Sequence, residues 1–161
     1  MNMIQGKCFF TGHRIMSNDE KERIFEKLKD LIKELEKEGV YEYYAGGAIG
    51  FDYLAAQAVI AVREELPHLC LELCLPCYGS EKKWSDNEKF NFQLLKVKCD
   101  RFSYVSEEPY FDGCMQKRNE VMADNCGTCV AYCKNSRSGT KKTLDYAKEN
   151  GCRIINIADE N

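Results

Sequence analysis

Short apolar runs alternate with longer amphipathic stretches along the whole chain, and this alternation constrains the fold more than any other feature. Strands are predicted at residues 7–11, 40–44, 69–75, 101–105, 128–133 and 153–157. Helices are predicted between them, and two of these helices open with capping boxes, at 17–20 and 85–88. Such alternation is typical of a mainly parallel sheet with helices on both faces. We therefore predict an α/β chain that forms a Rossmann-like three-layer sandwich around about six strands.

The length and composition favour one globular domain that spans residues 1–161. A chain of 161 residues buries a substantial core, and contents of 44% hydrophobic and 30% charged residues are ordinary for such a domain. No apolar run approaches the roughly 20 residues that span a bilayer. The short amino-terminal apolar run is interrupted at 11–14, so it does not match a secretory signal. We expect a cytoplasmic protein without a membrane partner.

The charge balance argues against broad nucleic-acid binding, which depends on a basic surface. The net charge is −3 and the isoelectric point is about 5.5. A local basic pocket is compatible with these values, and pairs of cations stand at 82–83, 117–118 and 141–142.

The ten cysteines are expected to pack as small hydrophobic residues rather than to form disulfides or a metal site. The spacings Cys74-x-x-Cys77 and Cys126-x-x-Cys129 resemble those of zinc sites. However, Cys74 and Cys129 fall within predicted strands, and the second spacing lacks the turn that a zinc knuckle needs. No metal site is predicted.

A glycine-rich junction at 45–52 connects the second predicted strand to the following helix. Gly46, Gly47 and Gly50 permit sharp turns and let a ligand approach backbone N–H groups. The start of the helix adds free N–H donors and a partial positive charge, which together favour an anion such as phosphate. The alternative interpretation is a tight strand-to-helix turn without a ligand.

The loops that follow the first five strands share a composition rich in glycine, hydroxyl, cationic and aromatic residues. In a parallel sheet these loops meet at one edge, where ligands bind. The opposite loops carry only ordinary helix and strand terminators. The segments concerned are Thr11-Gly12-His13-Arg14, 46–52, 78–84 with Lys83 and the single Trp84, 106–112 leading to Gln116-Lys117-Arg118-Asn119, and 135–140. This asymmetry predicts a polar pocket at the carboxyl edge of the sheet.

Arg118 is the strongest candidate for an anion contact. Its neighbours three and four positions away are apolar, namely Cys114, Met115, Val121 and Met122. A charge within an apolar stripe is costly to bury unless it is paired. The partner is therefore either a carboxylate of this protein, with Asp52 as the main choice, or an anionic ligand.

Several further residues have both a structural and a ligand-binding interpretation. The turn Ser138-Gly139-Thr140 precedes a helix and either caps it or holds a second phosphate. Asp52 either stabilises its helix dipole or binds ribose hydroxyls. Trp84 either stacks on a base or packs in the core. His13 is more typical of a surface or backbone contact than of a general base.

Together these motifs resemble the YpsA-like branch of the SLOG superfamily, over nearly the whole chain. The ordered set is Thr11-Gly12-His13-Arg14, Gly46-Gly47-Ala48-Ile49-Gly50-Phe51-Asp52, Glu81-Lys82-Lys83-Trp84, Gln116-Lys117-Arg118-Asn119 and Ser138-Gly139-Thr140 with Asp145-Tyr146-Ala147. The superfamily includes the DNA-processing protein DprA and the LOG phosphoribohydrolases. The resemblance implies a cytoplasmic bacterial protein with a Rossmann-like fold that binds nucleotides or nucleotide-derived ligands. It also implies a connection with cell division or stress responses.

One departure from the LOG enzymes bears on catalysis. Their Pro-Gly-Gly-x-Gly-Thr-x-x-Glu signature supplies a catalytic glutamate, whereas this chain has Ser136 and Arg137 in place of the paired glycines and Thr143 in place of the glutamate. Another carboxylate would have to substitute, and the sequence does not select one. The candidates are Asp52, Glu81, Glu107 and Glu108.

The main functional hypothesis is therefore a sensor or regulatory protein that binds a nucleotide-type ligand at the carboxyl edge of the sheet. The alternatives are a nucleotide N-glycosidase and, with less support, a single-stranded DNA binder. A homo-oligomer is expected by analogy only, and no cofactor is specified beyond the nucleotide-type ligand. The predicted ligand residues are Gly12, His13, Arg14, Gly46, Gly47, Gly50, Asp52, Lys83, Trp84, Arg118, Asn119, Ser138, Gly139 and Thr140.

Overall fold

The computed structural model describes residues 3–134 and 138–159, and within them it contains the six strands and five α-helices that the sequence predicts. The strands are β1 Lys7–Gly12, β2 Glu42–Ala45, β3 Cys70–Leu75, β4 Arg101–Tyr104, β5 Thr128–Tyr132 and β6 Arg153–Asn156. The helices are α1 Asn18–Lys37, α2 Phe51–Glu65, α3 Asp86–Lys98, α4 Cys114–Asn125 and α5 Gly139–Glu149. Short 3-10 helices occupy Met3–Gly6 and Ile157–Asp159.

All six strands are parallel, in the order β4-β3-β2-β1-β5-β6. β1 lies at the centre, with β2 on one side and β5 on the other. The chain therefore reverses its direction of travel across the sheet at β1. Such a reversal leaves a crevice at the carboxyl ends of the central strands, and ligands of open α/β sheets bind there. The Rossmann-like architecture is confirmed.

Helices cover both faces of the sheet. α1 packs against α2 on one face and buries Ile24, Leu28, Ile32 and Leu35, which share one side of the helix at helical spacing. α4 packs against α5 on the other face, over a core that includes Phe9, Cys129 and Met122. This arrangement brings the first turns of α2 and α5 and the side of α4 to the crevice at β1.

The two predicted capping boxes differ in the structure. Ser85 and Glu88 form both reciprocal bonds, as predicted. Ser17 accepts a bond from the backbone N–H of Glu20, but the Glu20 carboxylate pairs with Lys134 at 3.1 Å. A long-range ion pair thus replaces half of the first box.

The cysteines pack as the sequence predicts. All ten lie in the described part of the chain, none forms a disulfide, and Cys74 and Cys129 are buried in the core beneath α4 and α5. Among the residues that the structure describes, no group of three or more His, Cys, Asp or Glu side chains is arranged to hold a metal ion. Along the same residues, no helix combines the length and the apolar composition that crossing a bilayer requires.

Candidate nucleotide site

A cavity of about 280 Å³ opens at the carboxyl edge of the sheet, in the crevice beside β1. The loop after β1, the first turn of α2, the side of α4 and the start of α5 all contribute to it. Its lining residues are Thr11, Gly12, His13, Arg14, Ala48, Asp52, Met115, Arg118, Asn119, Ser138, Gly139 and Thr140. Nine of the fourteen predicted ligand residues are therefore brought together in one place.

Arg118 lines this cavity and is only 3% exposed. Its Nη1 donates to the carbonyl oxygen of Gly46 and to that of Cys74, the latter at 3.3 Å. Its Nη2 contacts the sulfur of Met115 at 4.0 Å, which is a weak acceptor. Burial lowers the Arg118 pKa, while nearby Asp52 raises it. The guanidinium is thus held by backbone carbonyls on one side and has poorly satisfied donors at Nη2.

Asn119 fixes the orientation of Arg118 and connects α4 to α5. Its Oδ1 accepts a bond from Arg118 Nε at 2.7 Å, and its Nδ2 donates to the Thr143 hydroxyl at 3.0 Å. The Thr143 hydroxyl donates in turn to the carbonyl of Gly139 at 3.1 Å. The first turn of α5 is therefore placed relative to the guanidinium by a continuous chain of hydrogen bonds.

Asp52 is buried in the first turn of α2 and lines the same cavity as Arg118. Burial raises its pKa from 3.8 to about 6, and the attraction of Arg118, a backbone N–H of Ala48 and Arg14 act in the opposite direction. A carboxyl group with a pKa near 6 exchanges its proton close to neutral pH. Of the alternatives that the sequence leaves open for Asp52, the structure realises both a helix-start position and a Coulombic partnership with Arg118.

The start of α5 matches the predicted cap. The Ser138 hydroxyl accepts a bond from the backbone N–H of Lys141 at 3.1 Å. Gly139 and Thr140 line the cavity, and the first N–H groups of a helix have no partners within it. The predicted turn thus provides a cap and a helix amino terminus at the cavity. Asn135, Ser136 and Arg137, which the sequence comparison with LOG enzymes singled out, lie outside the described residues.

His13 connects two of the loops that border the cavity. Its Nε2 accepts a bond from the backbone N–H of Lys134 at 2.7 Å, and its own backbone N–H donates to Tyr132. Burial and, to a lesser extent, Lys134 lower the His13 pKa, which favours the neutral ring that accepts this bond. This geometry agrees with the predicted backbone contact.

The three glycines after β2 have packing roles and do not line the cavity. A Cβ on Gly46 would lie within 3.0 Å of both Arg118 Nη1 and Asp52 Oδ2. Gly50 has φ +80, and a Cβ there would collide with the backbone of Arg14. The absence of a side chain at Gly46 leaves room for Arg118 and Asp52, and its absence at Gly50 lets the loops after β1 and β2 pack together.

A family model described as the YspA SLOG family matches residues 9–157. The chain belongs to this YpsA family of SLOG proteins. YoqJ, an uncharacterised SPbeta prophage-derived protein of Bacillus subtilis (strain 168), is 32% identical over an alignment of 146 residues that covers 83% of this chain and 85% of YoqJ. The UPF0398 protein YpsA of the same strain is 26% identical over 114 residues, which are 70% of this chain and 63% of YpsA.

Solved structures of DNA processing protein A resemble this YpsA-family chain in fold. The Helicobacter pylori protein, whose structure concerns single-stranded DNA binding, gives a TM-score of 0.66 at 16% identity, over 95% of this chain and 65% of that one. The Streptococcus pneumoniae protein gives a TM-score of 0.62 at 18% identity, over 92% of this chain and 48% of that one. At such low identity the likeness concerns the fold alone. This chain also spans less than two thirds of the length of either DNA processing protein A chain.

Three residues considered from the YpsA-like motifs lie away from the cavity. Trp84 borders a separate slot of about 60 Å³, and its ring meets the Phe92 ring edge-on with centroids 5.6 Å apart. Lys83 is exposed and does not line the 280 Å³ cavity. Glu81, a candidate catalytic carboxylate, lies near enough to Cys77 to raise the pKa of that thiol, after the larger effects of burial and Cys114.

Three lining residues of this YpsA-family site were not predicted. Thr11 ends the predicted first strand, directly before the glycine that was selected. Ala48 lies inside the glycine-rich junction, and Met115 was noted only as an apolar neighbour of Arg118. Thr11 and Ala48 lie in motifs that were identified, so extending the prediction to every position of each loop would have included them.

Proposed function

We propose that this YpsA-family protein binds a small phosphate-bearing ligand of the nucleotide type in the 280 Å³ cavity and acts as a sensor or regulatory protein. The observation that carries the proposal is the buried guanidinium of Arg118. Arg118 lines the cavity, and the sulfur of Met115, at 4.0 Å, is the hydrogen-bond contact of its Nη2 in the described part of the chain. A phosphate oxygen is the type of acceptor that such a group binds best.

The surroundings of Arg118 add two further sources of positive potential. Arg14 is exposed at the rim of the cavity, and the amino terminus of α5 lies at Ser138–Gly139–Thr140. A phosphate placed between Arg118 and α5 leaves Asp52, in the first turn of α2, to contact another part of the ligand. A carboxylate there repels phosphate but accepts bonds from sugar hydroxyls, which favours a ribose on that side.

The cavity volume favours a mononucleotide over a larger ligand. About 280 Å³ lies just below the lower end of the roughly 300–1,000 Å³ range of small-molecule sites. A long single strand of DNA requires an open basic groove instead, and the chain carries a net charge of −3. A cytoplasmic location, where nucleotides are abundant, is part of the proposal.

Calorimetric titration with inorganic phosphate, nucleoside monophosphates and the matching nucleosides tests the proposal. At least one monophosphate is expected to bind at least tenfold more tightly than its nucleoside, because the phosphate contacts supply most of the affinity. Arg14→Gln is expected to weaken this binding about tenfold, by the loss of a charged contact. Arg23→Gln is the matched control, since Arg23 is exposed on α1 outside the cavity. Absence of phosphate-dependent binding, or equal losses in both variants, would refute the proposal.

A second candidate function, cleavage of a nucleotide N-glycosidic bond, is favoured by one observation. Asp52 is buried at the cavity with its pKa raised to about 6 by burial, which suits a group that exchanges protons or stabilises a developing oxocarbenium ion. Chromatography of reactions with nucleoside monophosphates would detect the released base. Release that is lost in Asp52→Asn supports an enzyme, and no release above a buffer control leaves ligand binding as the function.

A further inference from the structure

Cys77 and Cys114 bring two buried thiols together outside the proposed nucleotide site. The two sulfur atoms are 3.4 Å apart, although the residues are 37 positions apart in the chain. Cys77 is 0% exposed and lies two residues after β3, while Cys114 is 1% exposed and is the first residue of α4. By contrast, the thiol of Cys152 donates to the carbonyl of Cys126 at 3.0 Å.

The backbone around the pair holds the two segments side by side. Tyr78 forms a parallel bridge with Pro109, and the backbone N–H of Cys114 donates to the carbonyl of Phe111 at 3.1 Å. The bridge places the loop after β3 against the loop that leads into α4, and the hydrogen bond, which lies within the second loop, positions the start of α4. The two cysteines therefore lie on segments that the backbone brings side by side.

We propose that Cys77 and Cys114 form a modification site, at which a peroxide oxidises the two thiols to an intramolecular disulfide. One thiol is first oxidised to a sulfenic acid, while the peroxide O–O bond breaks and water or an alcohol leaves. The second thiol then attacks the sulfenic sulfur, the S–S bond forms and a second molecule leaves as water. The two thiols together lose two electrons and two protons, and the peroxide accepts both.

The geometry permits closure of this bond with a small movement. The sulfur atoms must approach from 3.4 Å to about 2.05 Å. Gly113, which directly precedes Cys114, has φ +87, and a Cβ built there would meet no atom within 4 Å. The space beside this glycine is therefore unoccupied, at the residue where a small backbone adjustment would bring Cys114 closer to Cys77.

The chemical environment makes the reaction slow rather than immediate. Burial raises the Cys77 pKa to about 11, and a hydrogen bond to Cys114 and the charge of Glu81 contribute to the same shift. Little of this thiol is ionised at neutral pH, and the thiolate is the reactive form. The pair is therefore suited to sustained rather than brief exposure to peroxide.

Peptide mass spectrometry of the full chain tests this site. The reduced protein is treated with hydrogen peroxide, its remaining thiols are alkylated, and disulfide-linked peptides are quantified before and after dithiothreitol. A Cys77–Cys114 crosslink is expected to be the dominant product, with a loss of two hydrogen masses and full reversal by dithiothreitol. Dominant linkage through the half-buried Cys70 or Cys99, or oxidation of Cys77 and Cys114 only to sulfinic acids, would overturn the proposal.

Variants provide a matched comparison. Cys77→Ser is expected to abolish the crosslinked species, whereas Cys99→Ser, which removes a more accessible thiol, is expected to leave its yield unchanged. A yield of crosslinked species in Cys77→Ser equal to that of the natural protein contradicts the assignment of the disulfide to Cys77 and Cys114. Because the crosslink is identified directly in the unmodified protein, the test does not depend on either variant folding normally.

Discussion

The guanidinium of Arg118 donates a hydrogen bond to the carbonyl oxygen of Gly46, and this contact joins helix α4 to the turn after β2. Asp52, in the first turn of the helix that follows this turn, also lines the cavity. A Cβ at position 46 would lie within 3.0 Å of both charged side chains. A single glycine therefore determines how closely the two buried charges of the site approach each other.

Gly46→Ala is expected to lower the free energy of unfolding by about 1–3 kcal/mol, because the added methyl group must displace a buried charged side chain. Gly139→Ala is the control, since a Cβ there would meet nothing within 4 Å and no left-handed φ is required. That substitution is expected to change stability by less than about 1 kcal/mol. Urea denaturation measures the free energy of unfolding of both variants. Equal losses of stability would contradict the packing role assigned to Gly46.

Arg118 and Asp52 are expected to be energetically coupled. Arg118→Met leaves a buried carboxyl group without its cation and is expected to cost about 3–5 kcal/mol. Adding Asp52→Asn removes the stranded charge and should recover at least about 1 kcal/mol of that loss. A double-mutant cycle measures this coupling, with the free energy of unfolding of the natural protein, both single variants and the double variant determined at pH 7.5. Simple additivity of the two single effects would show that the charges do not interact.

The titration of Asp52 predicts a specific pH dependence of stability. Its pKa is 3.8 in the reference state and about 6 in the folded protein, because burial disfavours the charged form. The folded state therefore retains a proton that the unfolded state has released, and stability from this group is present below pH ~4 and is lost as pH rises through ~6. Relative to Asp52→Asn, the natural protein should lose about 2–3 kcal/mol between pH 4 and pH 7. A stability difference between the two proteins that stays constant from pH 4 to pH 7 would contradict the raised pKa of Asp52.

Most of the fold could be predicted from sequence because each element carries its own local pattern. The Ser85 cap and the apolar stripe from Ile24 to Leu35 require no knowledge of distant residues. Arg118 was also predictable, since an isolated charge in an apolar stripe demands a partner. The position of Trp84 was not predictable, because a residue in this loop faces either the cavity or Phe92 depending on how α3 packs. The close packing at Gly46 and Gly50 could not be predicted, because their neighbours are side chains and backbone that only the tertiary fold brings together.

The position of Trp84 predicts that this residue contributes little to ligand affinity. Its ring borders a separate slot of about 60 Å³ and packs edge-on against Phe92. Trp84→Phe is therefore expected to leave the affinity for a nucleoside monophosphate within about twofold, whereas loss of a stacked base costs about 1–3 kcal/mol. Titration calorimetry compares the two proteins. A loss of tenfold or more would instead support the base-stacking interpretation that the sequence left open.

Glu81 is expected to control how fast Cys77 becomes oxidised. One carboxylate oxygen of Glu81 is buried and has no hydrogen-bond partner among the described residues, and its charge adds to the burial that raises the Cys77 pKa. Glu81→Gln removes this repulsion and should increase the rate of Cys77–Cys114 crosslinking by hydrogen peroxide severalfold at pH 7, because a larger fraction of Cys77 is then ionised. Glu107→Gln is the control, since Glu107 is exposed in the loop before α4. Quenched time courses followed by mass spectrometry measure both rates, and equal rates in the two variants would exclude an electrostatic role for Glu81.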